Sequence, residues 1–233
     1  MVSIEELKKI CYPKGSFESG QFDKKLIYRP LGLVFTKLCI PTPITPNFLT
    51  YSMIIMAIVA GYFFAFALPL YWLYGLVLIF LFMTIDCTDG QLARYRKVGC
   101  MRGWYIDLIH EAIAFPLILF MLGYGLFQQS GNIIYLYQGF VCTTFWLLAD
   151  FTRHSFQRIL FESKKPLGNI KFKSSIKQKL FYLTYGNFNS GVFYILLAGL
   201  IINNMPLILM IISTGLIIRW FVQVYLLQGY ITW

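Results

Sequence analysis

Apolar positions gather into six long runs, at 47–68, 70–94, 103–127, 133–157, 180–202 and 205–228. A helix needs roughly 20 apolar residues to cross the hydrocarbon of a bilayer, and each run is about that long. Ahead of them the pattern changes. Over 24–40, Leu26, Ile27, Leu31, Val34, Phe35 and Leu38 recur at helical spacing among Lys24, Lys25, Arg29 and Lys37. That alternation predicts a basic amphipathic helix lying in the membrane interface, with a solvating tail as the plainer alternative. Pro41, Pro43 and Pro46 then separate it from the first span. The expected architecture is an all-α membrane protein: a six-transmembrane-helix bundle with an N-terminal interfacial amphipathic helix. It divides into a cytoplasmic N-terminal segment, 1–45, and a six-span transmembrane domain, 46–229, that carries the chemistry.

Composition agrees. Of the 233 residues 58% are hydrophobic and 13% charged, against about 25% charged in an average soluble domain. A water-soluble enzyme, a disordered chain and a nucleic-acid-binding module are excluded on that ground. The net charge of +10 then points to anionic headgroups rather than nucleic acid. Nineteen of the twenty Lys and Arg residues lie before the first run, between the second and third, or around the fourth connection. The connections near 69, 128–132 and 203–204 carry no charge. This asymmetry places both termini on the cytoplasmic side, and the compact loops suggest a prokaryotic cytoplasmic membrane. The start lacks the basic and apolar regions of a signal peptide. Cys11, Cys39, Cys87, Cys100 and Cys142 are odd in number and widely spaced, which reads as free thiols.

Four of the ten acids fall between Asp86 and Glu111, at the cytoplasmic ends of the second and third runs. Charge within a bilayer is costly and usually functional. Asp86 and Asp89 are three apart and share a helical face, which Gly90, Ala93 and Arg94 extend. Gly103, Asp107 and Glu111 form a second stripe at steps of four. Antiparallel neighbours joined by a short turn can turn these stripes toward each other. Converging carboxylates must then be protonated, paired with Arg, or neutralised by cations. Oxygen-only donors suit Mg²⁺ or Mn²⁺, and two such ions are the usual apparatus of phosphoryl chemistry. The small residues leave room for a bulky ligand, or simply for close helix packing. A salt-bridge network with Arg94, Arg96 and Arg102 is the structural alternative for the acids.

The segment Asp86-Cys-Thr-Asp89-Gly90-Gln-Leu-Ala93-Arg94, eight further residues, then Gly103-Trp-Tyr-Ile-Asp107-Leu-Ile-His-Glu111 resembles the signature of the CDP-alcohol phosphatidyltransferase family. Seven of its eight fixed positions match. Thr45-Pro-Asn47-Phe-Leu-Thr50 is similar to the Pro-Asn-x-x-Thr that opens the first span in that family. The resemblance implies a metal-dependent transferase that moves a phosphoryl-alcohol group from a CDP-linked donor, such as CDP-diacylglycerol, to an acceptor hydroxyl and releases CMP. By that pattern Asp86, Asp89, Asp107 and Glu111 would ligate two Mg²⁺ or Mn²⁺ ions. Gly90 and Ala93 would leave room for the cytidine, Arg94 would sit near the nucleotide, and Asn47 and Thr50 would line its pocket. The last signature position is Asp in the family, as ligand and general base, whereas this chain has Glu111. Either the pocket is adjusted for the longer side chain, or the adjacent His110 takes some of the proton work, or the site is weakened. Members are commonly homodimers.

Two other functional classes remain open on the sequence: a transporter using the acids to bind a cation, and a weakened family member that only binds ligand. Outside the motif, Arg153 and Arg158 end the fourth run and Arg219 lies within the sixth. They form either a cationic pocket for an acidic group on the acceptor, or a structural bridge with Asp150 in which Arg158 snorkels to the interface.

Overall fold

A computed structural model describes residues 2–13, 23–99, 101–162, 180 and 189–231. Among them the chain is helical, without strands. Its elements are α1 (Ile4–Cys11), a π-helical turn (Lys24–Tyr28) running into α2 (Arg29–Cys39), α3 (Pro46–Ala65), α4 (Pro69–Arg96), α5 (Met101–Ser130), α6 (Ile133–Glu162), α7 (Asn189–Ile201) and α8 (Met205–Ile231).

Five helices are long and apolar enough to cross a membrane: α3, α4, α5 from Tyr105, α6, and α8 to Gln228. The chain is therefore an integral membrane protein by length and composition of its helices. The sixth expected crossing, 180–202, is described at Leu180 and over α7. At 1.5 Å per residue, α7 is shorter than the roughly 30 Å hydrocarbon layer. Residues 181–188, the basic run at 164–179, and Lys14, Cys100 and Trp233 lie outside the described residues.

Local chemistry sets the helix ends. Ser3 caps α1 through a reciprocal pair: its hydroxyl accepts from the Glu6 amide at 3.1 Å while its own amide donates to Glu6 Oε2 at 2.8 Å. That satisfies two orphan donors of the first turn. Thr45 caps α3, its hydroxyl accepting from the Phe48 amide, with Pro46 at the first helical position, where a missing N–H costs nothing. α4 stops at Lys97, which takes the left-handed conformation (φ 55°). The amides of Lys97 and Val98 turn back to the carbonyls of Arg94 and Ala93, the closing pattern usually reserved for glycine.

The chain falls into two compact units. The first comprises Met1–Phe63 and Leu70–Ala114 and so holds α1, α2, most of α3, α4 and the start of α5. Here Leu7 of α1 and Leu33 of α2 bury against each other, with Tyr12, Ile40 and Tyr95 around them. α2 meets α4 where Gly32 has no side chain: a Cβ there would lie 3.0 Å from Cβ of Cys87 and 3.1 Å from the Gln91 amide. The expected amphipathic stretch is thus two-sided. Tyr28, Leu33 and Thr36 are buried, whereas Leu26, Val34, Phe35 and Leu38 are exposed.

The second unit comprises Phe64–Pro69 and Phe115–Trp233. α6 packs along α8, and α7 folds back on α8. Phe156 and Leu160 bury with Leu226 and Leu227, and the Trp220 indole donates to the Thr152 hydroxyl at 3.2 Å. α5 and α6 approach closely at Gly123, where a Cβ would stand 2.5 Å from the Tyr135 carbonyl oxygen and 2.8 Å from the Gly139 Cα. Any side chain there forces the helices apart.

Candidate active site

Three elements of the first unit converge on a cavity of about 330 Å³. α3 contributes Asn47 and Thr50 from its first turn. α4 contributes Asp89, Gly90, Ala93 and Arg94 from its last turns. α5 contributes Gly103 and Asp107. Thr50 is buried, and its hydroxyl donates to Asp89 Oδ2 at 2.7 Å. That bond fixes the carboxylate at the cavity wall and satisfies one of its oxygens in a setting where an unmade bond is expensive.

A second cavity, of about 380 Å³, lies on the other side of the same α4 residues, since Gly90 and Arg94 border both. Asp86 belongs to this one, together with Tyr12, Lys24 and Arg29 of the N-terminal segment. The Lys24 ammonium lies 3.3 Å from Asp86 Oδ2. The Asp86 carboxylate holds Lys24 above its ordinary lysine pKa, burial works in the opposite direction, and Glu111 adds a smaller upward pull. The guanidinium groups of Arg29 and Arg94 each lie 5.2 Å from the centre of the Tyr12 ring, within cation–π range. Burial raises the Tyr12 phenol above its usual range, so it is neutral near pH 7.

Two side chains hold this frame together. Gln91 is fully buried; its amide nitrogen donates to the Tyr12 hydroxyl at 2.9 Å and to the Arg29 carbonyl at 3.1 Å, and its oxygen accepts from Thr36 at 2.9 Å. Arg96 donates to the carbonyls of Cys39 at 3.1 Å, Ile40 at 3.4 Å, Thr42 at 2.9 Å and Ile44. It clamps the loop that leads into Asn47 and Thr50. In these bonds Arg96 serves backbone carbonyls rather than the acids.

The sequence motif is therefore largely gathered. Asn47, Thr50, Asp89, Gly90, Ala93, Arg94, Gly103 and Asp107 share one cavity, and Asp86 stands in the adjoining one. Glu111 is half-buried on α5, and its charge reaches Lys24 and His110. His110 is buried, edge-on to Phe82 at 5.4 Å; neither ring nitrogen has a hydrogen-bond partner among the described residues. In the second unit Arg153 lies 3.4 Å from Asp150 Oδ1, Arg219 is 5.9 Å from the Trp146 ring centre, and Arg158 pairs in the open with Glu162 at 2.9 Å. Sequence does not single out Tyr12, Lys24, Arg29 and Gln91 as site residues, because the contacts that join the N-terminal segment to α4 span roughly sixty to eighty positions.

The acids offer only carboxylate oxygens, the donor set hard divalent ions prefer, and Asp89 and Asp107 face one cavity. As they stand, Asp86 is engaged by Lys24 and Asp89 by Thr50. Among the described residues no group of three or more Asp, Glu, His or Cys side chains is assembled to hold an ion. The donor chemistry fits a divalent metal; the complete ligand set is not drawn together.

A helical membrane protein with a polar, carboxylate-lined cavity walled by small residues between three helix ends defines the class. The sequence model of the CDP-alcohol phosphatidyltransferase family matches residues 43–219, and the chain belongs to that family, whose members are transferases of substituted phosphate groups. No curated protein matches it. Membership implies transfer of a phosphoryl-alcohol group from a CDP-alcohol, with an alcohol acceptor and a lipid bilayer as partners.

Proposed function

We propose that the chain is a divalent-metal-dependent CDP-alcohol phosphotransferase that takes its donor, CDP-diacylglycerol in the leading reading, from the membrane and releases CMP. The observation that carries this is the shared cavity of Asn47, Thr50, Asp89, Gly90, Ala93, Arg94 and Asp107. Its walls are small where a nucleotide must approach backbone and acidic where a diphosphate must be neutralised.

Asp86, Asp89, Asp107 and Glu111 would hold two Mg²⁺ or Mn²⁺ ions, which supply charge neutralisation for the diphosphate and its transition state. Asn47 and Thr50 position the nucleotide. Thr50 also aims Asp89. Arg94, exposed at the rim, offers a forked cation to a phosphate or the cytidine. Glu111 accepts the proton of the acceptor hydroxyl at its carboxylate oxygen. The acceptor oxygen then bonds to the alcohol-bearing phosphorus, the bond from that phosphorus to the CMP oxygen breaks, and CMP leaves. By sequence, Arg153, Arg158 and Arg219 are the candidates for holding an acidic group on the acceptor. The crowded basic connections support a site and both termini at the cytoplasmic face, and the exposed apolar row of α2 supports its lying in the interface.

The test is direct. Purified protein is incubated with a panel of CDP-alcohols and acceptors, with Mg²⁺ or Mn²⁺, and CMP is followed. Metal-dependent CMP release with at least one donor is expected. No CMP from any donor, or release indifferent to chelator, contradicts the reading.

A further inference from the structure

A third cavity lies between α1 and the end of α2 and shares no residue with the two cavities of the candidate active site. At about 510 Å³ it is larger than either of them. Val2, Leu38, Ile40 and Pro41 give it apolar walls, and Glu6 and Lys37 are its two charged residues. Val2 and Ile40 pack against the buried Leu7 and Leu33, so its floor is part of a packed core. Leu38 lines the cavity and, at 65% exposed, also belongs to the outward row of Leu26, Val34 and Phe35. The cavity is therefore continuous with the apolar face that α2 exposes. The Glu6 carboxylate is engaged by the Ser3 amide in the α1 cap. Lys37 has no such partner: it is half-buried, yet among the described residues no ion pair or hydrogen bond takes up its ammonium.

We infer that this groove docks one anionic phospholipid of the surrounding bilayer, a bound and non-reacting lipid, with an acyl chain along Val2, Leu38, Ile40 and Pro41 and its phosphate on Lys37. An apolar cavity stays dry but takes an apolar guest, which restores the dispersion contacts its lining lacks. For an integral membrane protein the apolar chain at hand is lipid. Lys37 selects the headgroup. A half-drawn-in ammonium without an anion is costly; its stem lies against the apolar wall while its head reaches the phosphate level, and basic residues at a membrane surface draw anionic lipid. All six lining residues precede residue 43, where the family match begins, so the groove belongs to the chain's own N-terminal segment. A lipid seated here also rests against the loop that leads to Asn47 and Thr50, since Arg96 holds the Ile40 carbonyl at 3.4 Å. Docking depends on the membrane setting of α2 and not on the proposed transfer.

Photocrosslinking locates the lipid without turnover. The full-length protein is placed in phosphatidylcholine nanodiscs that carry a trace of either phosphatidylglycerol or phosphatidylcholine with a diazirine on one acyl chain, and the labelled peptides are mapped. Phosphatidylglycerol should label segments 2–13 and 37–42 about fivefold more than phosphatidylcholine does, the scale of one lysine at an anionic surface. Lys37→Gln should remove that preference, Lys37→Arg should keep it, and Lys9→Gln, which removes a cation of α1 outside the cavity, should leave it unchanged. Leu38→Asp, at an exposed position where the fold is not at stake, should abolish the labelling by setting a carboxylate beside Lys37. Equal labelling by the two lipids, no label in either segment, an undiminished preference in Lys37→Gln, undiminished labelling in Leu38→Asp, or equal loss in Lys9→Gln overturns the inference. A chain that takes the lipid here yet releases no CMP from any donor would sink the proposed transfer and leave this docking site standing.

Discussion

Charge is drawn in from solvent in both units, half-buried in the first and buried in the second, but it is satisfied in different ways. In the first, Asp86 finds Lys24 and Asp89 finds Thr50, partners 62 and 39 positions away that stand on other elements. In the second, Arg153 finds Asp150 on its own helix, three positions back, and Arg219 lies over the Trp146 ring. The first arrangement ties several elements around open cavities. The second sits between two packed helices, with Asp150 and Arg153 a turn apart on α6 and Arg219 reaching in from α8. Long-range partners around a cavity mark a site whose charges are held ready for something else, whereas a local pair by itself is equally well explained by packing.

The sharpest way to break this contrast is to neutralise the cavity acids. Asp89→Asn and Asp107→Asn should each lower CMP release at least 100-fold, as loss of a metal ligand or of its electrostatic clamp does. Near-normal rates in both would put the chemistry elsewhere. Next is the altered signature position. Glu111→Gln should lower kcat about 100-fold, the scale of a general base, while Glu111→Asp should keep kcat within about tenfold; a large gain in Glu111→Asp would mean the wild-type site is weakened. In the second unit, Arg153→Gln should lower Tm and raise the acceptor KM about tenfold with kcat little changed. A lowered Tm with an unchanged acceptor KM in Arg153→Gln would make its contact with Asp150 purely structural. The smallest effect belongs to the rim of the first unit. Ser3→Ala removes the α1 cap and should cost about 1 kcal/mol, seen as a modest drop in Tm with CMP release intact.

The same contrast explains what could be read in advance. Asp89, Gly90, Ala93 and Arg94 follow helical offsets, and Gly103 and Asp107 repeat at four, so spacing alone placed each set on one face. The turns at Gly131 (φ 71°) and Asn203 (φ 50°) fall in two of the three uncharged connections. The Ser3–Glu6 capping box is not among those readings, because α1 is too short and polar to show apolar periodicity. Lys24 with Asp86, Tyr12 with Gln91, and Arg96 on the loop carbonyls could not be read this way. Each joins residues more than fifty positions apart, and no local pattern encodes such a pairing. A basic residue in an amphipathic stretch looks the same whether it meets lipid phosphate or a carboxylate on α4.

Counting bound Mn²⁺ by electron paramagnetic resonance, with CMP present and no turnover required, tests the central claim most directly. Two ions per chain are predicted for the wild type, with loss of binding in Asp89→Asn and in Asp107→Asn. Failure of the wild type to bind Mn²⁺, or unchanged occupancy in both variants, would contradict it.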